Sequence, residues 1–252
     1  MDNYQKINAD TWDLWAKNGC EWSLPISRDE FAKVNAGNYI VFLTPCIPVP
    51  HEWLGNLKGK KLLGLASGGG QQMPIFAKLG AQCTVLDNSP AQLESERMVA
   101  KREGYDIQIL QGDMTKPLPF PDETFDLIFH PVSNCYVEEI LSIWKECYRV
   151  LKKGGELLAG FDNGLAFLFE GDDPLRVVNP LPFNPLKMPK ERREQMIQNG
   201  EGIQFSHSLE EQIGGQLQAG FTLVSLYEDR DRPGDSILRE YMPQYMATRA
   251  RK

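Results

Sequence analysis

The stretch Leu63-Gly64-Leu65-Ala66-Ser67-Gly68-Gly69-Gly70 decides the fold of this chain. It ends a short apolar run, residues 61–65, that is typical of a buried strand, and it precedes a helical pattern over residues 71–79. Glycines at such a turn let the backbone approach a ligand closely, and the following helix offers free N–H groups at its start. Three consecutive glycines also cost backbone entropy, which favours a ligand-binding loop over a plain turn.

Strands and helices alternate around this loop from residue 60 to residue 161. This alternation predicts right-handed crossovers and an α/β, Rossmann-like, doubly wound sheet that is mostly parallel, with helices on both faces. The predicted strands cover residues 61–65, 82–86, 106–110, 125–129, 156–161, 221–227 and 244–249. The predicted helices cover residues 8–18, 28–36, 71–79, 90–103, 137–151, 189–199 and 208–219.

The 252 residues are expected to form a single domain, because this length suits one large core. Four parts are distinguished. Residues 1–55 form an aromatic-rich helical segment, which we call the N-terminal cover. Residues 60–161 form the cofactor-binding core, and residues 165–206 form a proline-rich segment, which we call the insertion. Residues 207–252 supply a closing helix and strands.

An acid follows the second predicted strand at Asp87, 19 residues beyond Gly68. A carboxylate at the end of that strand can accept hydrogen bonds from ribose hydroxyls, which suits several nucleotide-type cofactors. The dinucleotide fingerprint G-x-G-x-x-G fails here, because its third glycine would fall at Met73. A nicotinamide-dependent oxidoreductase therefore remains only as an alternative.

Residues 66–70 read A-x-G-x-G, which resembles the G-x-G-x-G loop of class I S-adenosylmethionine (SAM)-dependent methyltransferases, with Ala66 in place of the first glycine. Further segments are similar to that family in order and at its spacing, so that the resemblance covers residues 61–161. These segments are Gln111-Gly112-Asp113-Met114, Phe125-Asp126-Leu127-Ile128-Phe129-His130 and Arg149-Val150-Leu151-Lys152-Lys153-Gly154-Gly155.

The resemblance implies SAM as cofactor, S-adenosylhomocysteine as product, and a seven-stranded sheet whose last strand is antiparallel. It also implies that the loop holds the methionyl part, that Asp87 holds the ribose, and that Asp113 with Met114 holds the adenine. The cofactor-binding residues expected on this basis are Ala66, Ser67, Gly68, Gly70, Asp87, Asn88, Asp113, Met114 and His130.

The acceptor is expected to be a small molecule, with the receiving atom (oxygen, nitrogen or carbon) left open. His130, at the end of the fourth predicted strand, is the candidate base or acceptor-orienting group. Trp12 and Trp15 share one face of the first helix and predict either plain packing or a hydrophobic lid. Ser133, Asn134 and Tyr136 are the other candidates for the acceptor wall.

Two departures from the family pattern keep a second reading open. The acid usually found two residues before the first glycine is Gly64 here, and that glycine is Ala66. An Ala methyl group costs more if the local φ is positive than if it is negative. A SAM-binding protein without turnover is therefore an alternative, and methylation of protein or RNA is a weaker one.

Charge, hydropathy and cysteine content argue against several other classes of protein. With 27 Lys+Arg against 34 Asp+Glu, the net charge is −7, which argues against a protein that grips nucleic acid. No apolar run approaches the roughly 18 residues of a membrane span. The five cysteines form no C-x-x-C pair, so we expect neither disulfides nor a metal site, and a cytoplasmic location. The sequence leaves open whether the protein is a monomer or a homodimer.

Overall fold

A seven-stranded sheet forms the centre of the computed structural model, which describes residues 4–171 and 174–252. Residues 1–3 of the cover and 172–173 of the insertion lie outside the described residues. The strands are β1 Lys61–Leu65, β2 Gln82–Asp87, β3 Ile107–Gln111, β4 Phe125–His130, β5 Leu151–Asp162, β6 Phe169–Glu170, β7 Arg176–Val177, β8 Thr222–Asp229 and β9 Tyr245–Arg251.

The strand order in the main sheet is β3-β2-β1-β4-β5-β9-β8, while β6 and β7 form a separate small hairpin. The first five strands of the chain pair in parallel, and β9 is antiparallel to both of its neighbours, β5 and β8. The prediction of a mostly parallel seven-stranded sheet with an antiparallel last strand is therefore confirmed.

The helices follow the start and stop signals of the sequence. Ser89 caps the helix that begins at Pro90 by accepting a hydrogen bond from the Gln92 N–H, and Gly104 ends it in a left-handed conformation. The helices are α1 Tyr4–Lys17, α2 Arg28–Lys33, α3 His51–Leu54, α4 Gln72–Lys78, α5 Pro90–Glu103, α6 Leu141–Val150, α7 Lys190–Gln198 and α8 Gly215–Ala219. Among the described residues, no helix is long and apolar enough to cross a membrane.

Each face of the sheet carries its own hydrophobic core, so the helices on both faces are confirmed. On one face Leu127 packs with Met73 of α4 and with Leu43 of the N-terminal cover. On the other face Ile128 packs with Trp144 of α6. Consecutive residues of β4 thus enter opposite cores, as the alternation of side chains along a strand requires.

Helix α6 begins at Leu141, although the pattern predicts a helix from residue 137. The buried Nε2 of His207 lies 3.0 Å from the carbonyl oxygen of Val137 and 3.1 Å from that of Asn134. Residues 134–136 form a separate 3-10 turn, and Val137 after them has extended backbone (φ −131°, ψ 146°), so the helix cannot begin at residue 137. β5 begins at Leu151, five residues before the predicted strand of residues 156–161, so Gly154 and Gly155 lie within it at an irregularity of its pairing.

The chain reverses its direction of sheet growth at β1. After β1 it adds β2 and β3 on one side and then places β4 on the other side. In open α/β sheets a crevice forms at this switch point, outside the carboxyl ends of the strands, and ligands bind there. The loop that follows β1 lies at this point, so the topology and the glycine-rich stretch indicate the same site.

Candidate functional site

A cavity of about 850 Å³ lies at the carboxyl ends of the parallel strands. This size is within the range of small-molecule sites in proteins. Its walls come from distant parts of the chain: the glycine-rich loop, the ends of β2, β3 and β5, the N-terminal cover and the insertion.

Asp87 holds the glycine-rich loop in place. Its Oδ2 accepts a hydrogen bond from the Gly68 N–H at 2.9 Å, and its Oδ1 accepts one from the Ser89 N–H at 2.9 Å. A Cβ atom at Gly68 would lie 3.0 Å from Asp87 Oδ2 and 2.9 Å from the Cβ of Gln92, so this position has no room for a side chain. Burial raises the pKa of Asp87, although the N–H groups oppose the shift.

Asp113 lies on the next strand end along the same wall. Its Oδ1 accepts hydrogen bonds from the Thr115 N–H at 2.8 Å and the Thr115 hydroxyl at 2.7 Å, which fix its orientation. The Gly112 N–H donates to the Asp87 carbonyl at 2.9 Å, which ties the two strand ends together. Ala66, Ser67, Asn88 and Met114 line the same cavity. Two carboxylates on one wall favour a cationic ligand.

The cover is tied to this wall by a residue that the sequence did not single out, Asp13 of α1. Its Oδ1 accepts hydrogen bonds from the Ser89 hydroxyl at 2.6 Å and the Ala91 N–H at 3.0 Å, at the start of α5. The Asn88 amide donates to the carbonyl of Gln5 at 3.0 Å, also in α1. An acid on the polar face of a short helix carries no special pattern, so only the folded chain identifies this anchor.

The two departures from the family pattern have separate structural bases. At Gly64 a Cβ atom would lie 2.6 Å from Met73 Sδ, so the space of the usual acid is filled by the methionine side chain. Ala66 has a φ of +49°, the conformation in which a methyl group is costly. Left-handed backbone costs a non-glycine residue about 1–2 kcal/mol. The loop therefore keeps its shape at a small cost in stability.

The structure places His130 and Asn134 away from the acceptor wall where they were expected. The side chain of His130 is fully buried, with Nδ1 2.9 Å from the Leu65 carbonyl oxygen and Nε2 2.9 Å from Asn134 Oδ1. Asn134 is also fully buried and donates to Gln212 Oε1 at 2.8 Å. Neither residue lines the cavity. Burial lowers the pKa of His130, which favours a neutral imidazole with a packing role.

Of the other residues proposed for the acceptor side, three line the cavity and one does not. Trp12, Ser133 and Tyr136 line the cavity. Trp15 does not, and its indole N–H donates to the Gly200 carbonyl at 3.1 Å, which ties the cover to the insertion. The rings of Trp12 and Tyr136 lie 5.5 Å apart, edge to face. Among residues 4–171 and 174–252, no three His, Cys, Asp or Glu side chains form a group that could hold a metal ion.

Gly70 also stands behind the cavity rather than on its surface, and it is held by a buried acid. Its N–H donates to Glu96 Oε1 at 2.7 Å, and Glu96 of α5 is fully buried. The other carboxyl oxygen, Oε2, has no hydrogen-bond partner in the described part of the chain. Burial raises the pKa of Glu96 to about 8.

Glu96 is expected to make the stability of the protein depend on pH. Between the ordinary pKa of 4.5 and about 8, the folded chain keeps the Glu96 proton that the unfolded chain loses. Stability therefore falls as pH rises through this window, by at most about 1.4 kcal/mol per pH unit for one proton. We expect Glu96→Gln to flatten the dependence in urea unfolding, while the exposed control Glu94→Gln on the same helix leaves it unchanged. Parallel wild-type and Glu96→Gln curves would contradict this assignment.

Comparison with known proteins is consistent with this geometry. A family model described as "Methyltransferase domain" matches residues 63–159. The uncharacterized methyltransferase YbaJ of Bacillus subtilis (strain 168) is 43% identical over 250 residues, 97% of each chain. Sterol 24-C-methyltransferase erg6 of Aspergillus fumigatus is 26% identical over 184 residues, 71% of this chain and 44% of that protein. The crystal structure of a SAM-dependent methyltransferase from Mesorhizobium loti has a TM-score of 0.62 at 16% identity, over 80% of this chain and 94% of that one, and supports the fold alone.

Proposed function

Because this chain belongs to the class I SAM-dependent methyltransferase family, we propose that it methylates a small molecule bound beside SAM in the cavity described above. One observation carries the proposal. The wall formed by the glycine-rich loop, Asp87 and Asp113 is continuous with an aromatic compartment under the cover and the insertion. A single cavity thus offers room for both a methyl donor and an acceptor.

We assign the cofactor residues as follows. The main chain of Ala66, Ser67 and Gly68, which line the cavity, holds the methionyl part, and Gly70 supports this loop from behind. Asp87 holds the ribose, and Asp113 with Met114 holds the adenine. The fit is supported by buried polar atoms that lack partners in the described chain, Ser67 Oγ and Gln92 Oε1, on residues that line the cavity. Such atoms are rare in proteins unless a ligand or water satisfies them.

SAM supplies a methyl group bonded to a sulfonium sulfur. The task of the chain is therefore to orient the acceptor and exclude water. The aromatic residues of the cover and insertion suit the second task, since Trp12, Phe167 and Phe183 line the cavity. Orienting the acceptor is the role of polar side chains at the neighbouring ends of β5 and β9, where Asp162 and Gln244 line the cavity.

We propose that the described parts act as one domain, that the protein resides in the cytoplasm, and that nucleic acid is not its substrate. The cytoplasmic assignment is supported by five free cysteines, of which Cys83, Cys135 and Cys147 are buried. The substrate assignment is supported by the excess of acids over bases in the chain.

Thermal unfolding with added ligands tests the proposed cofactor. A ligand at 100 times its Kd stabilises the folded state by about 2.7 kcal/mol, which for this length raises Tm by roughly 5–11 °C. We expect this rise with SAM and with S-adenosylhomocysteine, and no rise with NAD as the matched control. A rise with NAD alone would contradict the proposal and favour the oxidoreductase alternative.

A SAM-binding protein without turnover is the second candidate, and the strained Ala66 together with the filled space at Gly64 favours it. Both candidates predict the same rise in Tm. The two candidate functions are distinguished by measuring whether a labelled methyl group is transferred from SAM to any of a panel of small acceptors. Binding without transfer to any acceptor would favour the second candidate.

A further inference from the structure

The cavity is also lined by residues outside the proposed cofactor wall, from the segment 131–137, the insertion and the neighbouring ends of β5 and β9, and we call this part of the lining the second compartment. Its aromatic lining includes Tyr136, Phe167, Phe183 and Tyr245, and the rings of Phe167 and Phe183 stack with their centroids 5.5 Å apart. Such a lining suits an apolar or aromatic body.

Two buried polar side chains of this compartment have unused hydrogen-bonding atoms. Asp162, the last residue of β5, is 8% exposed; its Oδ1 accepts from the Gly164 N–H at 2.9 Å. Gln244 is 2% exposed, and its Oε1 accepts from the Asp231 N–H at 3.0 Å. Within the described chain, Asp162 Oδ2 and Gln244 Nε2 have no partner.

The two side chains stand at the same sheet edge. Asp162 pairs with Tyr245 across β5 and β9, and the Asn163 N–H donates to the carbonyl of the adjacent Gln244 at 2.8 Å. Both side chains line the cavity. Buried polar atoms are rarely left without a partner, so both atoms are available to accept a hydrogen bond from, or donate one to, a ligand or water in the cavity.

The net charge of the side chains that line the cavity favours some classes of acceptor over others. The described lining residues include seven carboxylates and one guanidinium, Arg192, which is ion-paired with Glu170. Two of the carboxylates, Asp87 and Asp113, belong to the proposed cofactor wall, so the acceptor side keeps an acidic surplus. Anions such as carboxylates, phosphates and phenolates are repelled there, whereas an ammonium group is attracted.

We propose that Asp162 and Gln244 form the acceptor subsite and that the acceptor is an amine carried on an apolar or aromatic body. This inference rests on the proposed function. The ammonium group gives one proton to Asp162 Oδ2 and so gains a lone pair. The nitrogen then forms a bond to the methyl carbon, while the carbon–sulfur bond breaks and leaves its electron pair on sulfur. The proton on Asp162 passes to water when the products leave.

The surroundings of Asp162 suit this role. Burial raises its pKa to about 6, so the carboxylate is mostly ionised near pH 7.5 yet able to hold a proton. The ionisable groups that face it are the thiol of Cys135 and the hydroxyls of Tyr136 and Tyr245. Burial raises the pKa of each of these three groups, which keeps them neutral.

The test uses matched ligands with the protein loaded with S-adenosylhomocysteine. Calorimetry compares 2-phenylethylamine with 3-phenylpropionate, and tryptamine with indole-3-propionate. We expect each amine to bind at least about 10-fold more tightly than its carboxylate partner, because the acidic lining favours the cation. We expect Asp162→Asn to remove most of this preference. Equal binding of both members, tighter binding of the carboxylates, or no binding of either would overturn the amine assignment.

Activity supplies the second readout, with the bound amines as acceptors and labelled SAM as donor. Loss of the base in Asp162→Asn is expected to lower kcat by about 100-fold. The kcat of the wild type should fall as pH falls through about 6, where Asp162 takes up a proton. The pH profile of Asp162→Asn should not show this fall. An unchanged kcat in Asp162→Asn, or methylation of phenols but not amines, would overturn the proposal.

The controls separate this proposal from the proposed function. Glu156→Gln alters a carboxylate on the same strand that is bound by Arg249 and Arg251 outside the cavity, and should keep kcat. SAM binding by Asp162→Asn, measured separately by calorimetry, should match the wild type. Failure of the wild type to bind SAM would defeat the proposed function, whereas normal SAM binding with an unchanged Asp162→Asn would defeat only the subsite.

Discussion

Asp87→Ala should weaken SAM binding by about 100-fold or more, because hydrogen bonds from ligand hydroxyls to a carboxylate contribute roughly 1.5–3 kcal/mol. The same change removes the acceptors for the Gly68 and Ser89 N–H groups, so the loop also loses its support. Both effects act in the same direction. Calorimetric titration with SAM gives the loss directly.

Two further variants show whether a loss of SAM affinity is specific to the Asp87 carboxylate. Asp87→Asn keeps an oxygen acceptor and should lose less affinity than Asp87→Ala. Asp126→Ala removes a carboxylate from β4 that is bonded to the Lys61 N–H and to Lys152, away from the cavity. This control should cost stability but leave SAM affinity unchanged. Equal affinities in Asp87→Ala and the wild type would remove Asp87 from the site.

Gly160→Ala is expected to destabilise the protein by about 3 kcal/mol or more, since overpacking against rigid atoms is costly. A Cβ atom at Gly160 of β5 would lie 2.1 Å from the carbonyl oxygen of Leu43 and 2.7 Å from its carbonyl carbon. The obstacle is backbone, which a side-chain rotation cannot relieve. The Leu43 oxygen also accepts from the Val132 N–H at 3.1 Å, so a shift would break that bond.

Denaturant unfolding measures this cost. The matched control is Gly214→Ala, where the nearest atom to an added Cβ is a side-chain carbon of Glu210 at 3.7 Å. We expect no loss of stability there. Because Leu43 and its neighbour Thr44 line the cavity, Gly160→Ala should also disturb the acceptor side. A Gly160→Ala protein as stable as Gly214→Ala would show that the cover does not press on β5 as described.

Local patterns predicted the sheet, and together with the family resemblance they proposed residues for a cofactor wall. Short apolar runs placed β1, β2 and β4 to within one residue at each end, because buried strands leave a strong signal in the sequence. The rule that ligands bind beyond strand ends selected Asp87, and the resemblance to the methyltransferase family added Asp113. Both residues line the cavity.

Tertiary contacts account for what the patterns missed. β4 extends one residue beyond its predicted end, so alternation turns His130 toward α6, where its ring centroid lies 6.0 Å from that of Trp144. Asp162 likewise ends a strand that was predicted to stop at residue 161, and the strand-end rule could have found it. Asp13 and Gln244 depend on partners 76 and 13 residues away, respectively, which no local pattern reveals.

The close approach of Met73 to Gly64 predicts that the effects of substitutions at these two positions are coupled. A Cβ atom at Gly64 would lie 2.6 Å from Met73 Sδ and 2.8 Å from Met73 Cε, which are the far end of a flexible side chain. A side chain at position 64 is therefore expected to fit when the end of Met73 moves aside, and to fit more easily when residue 73 is smaller. A double-mutant cycle across the two positions would show this coupling as non-additive changes in stability.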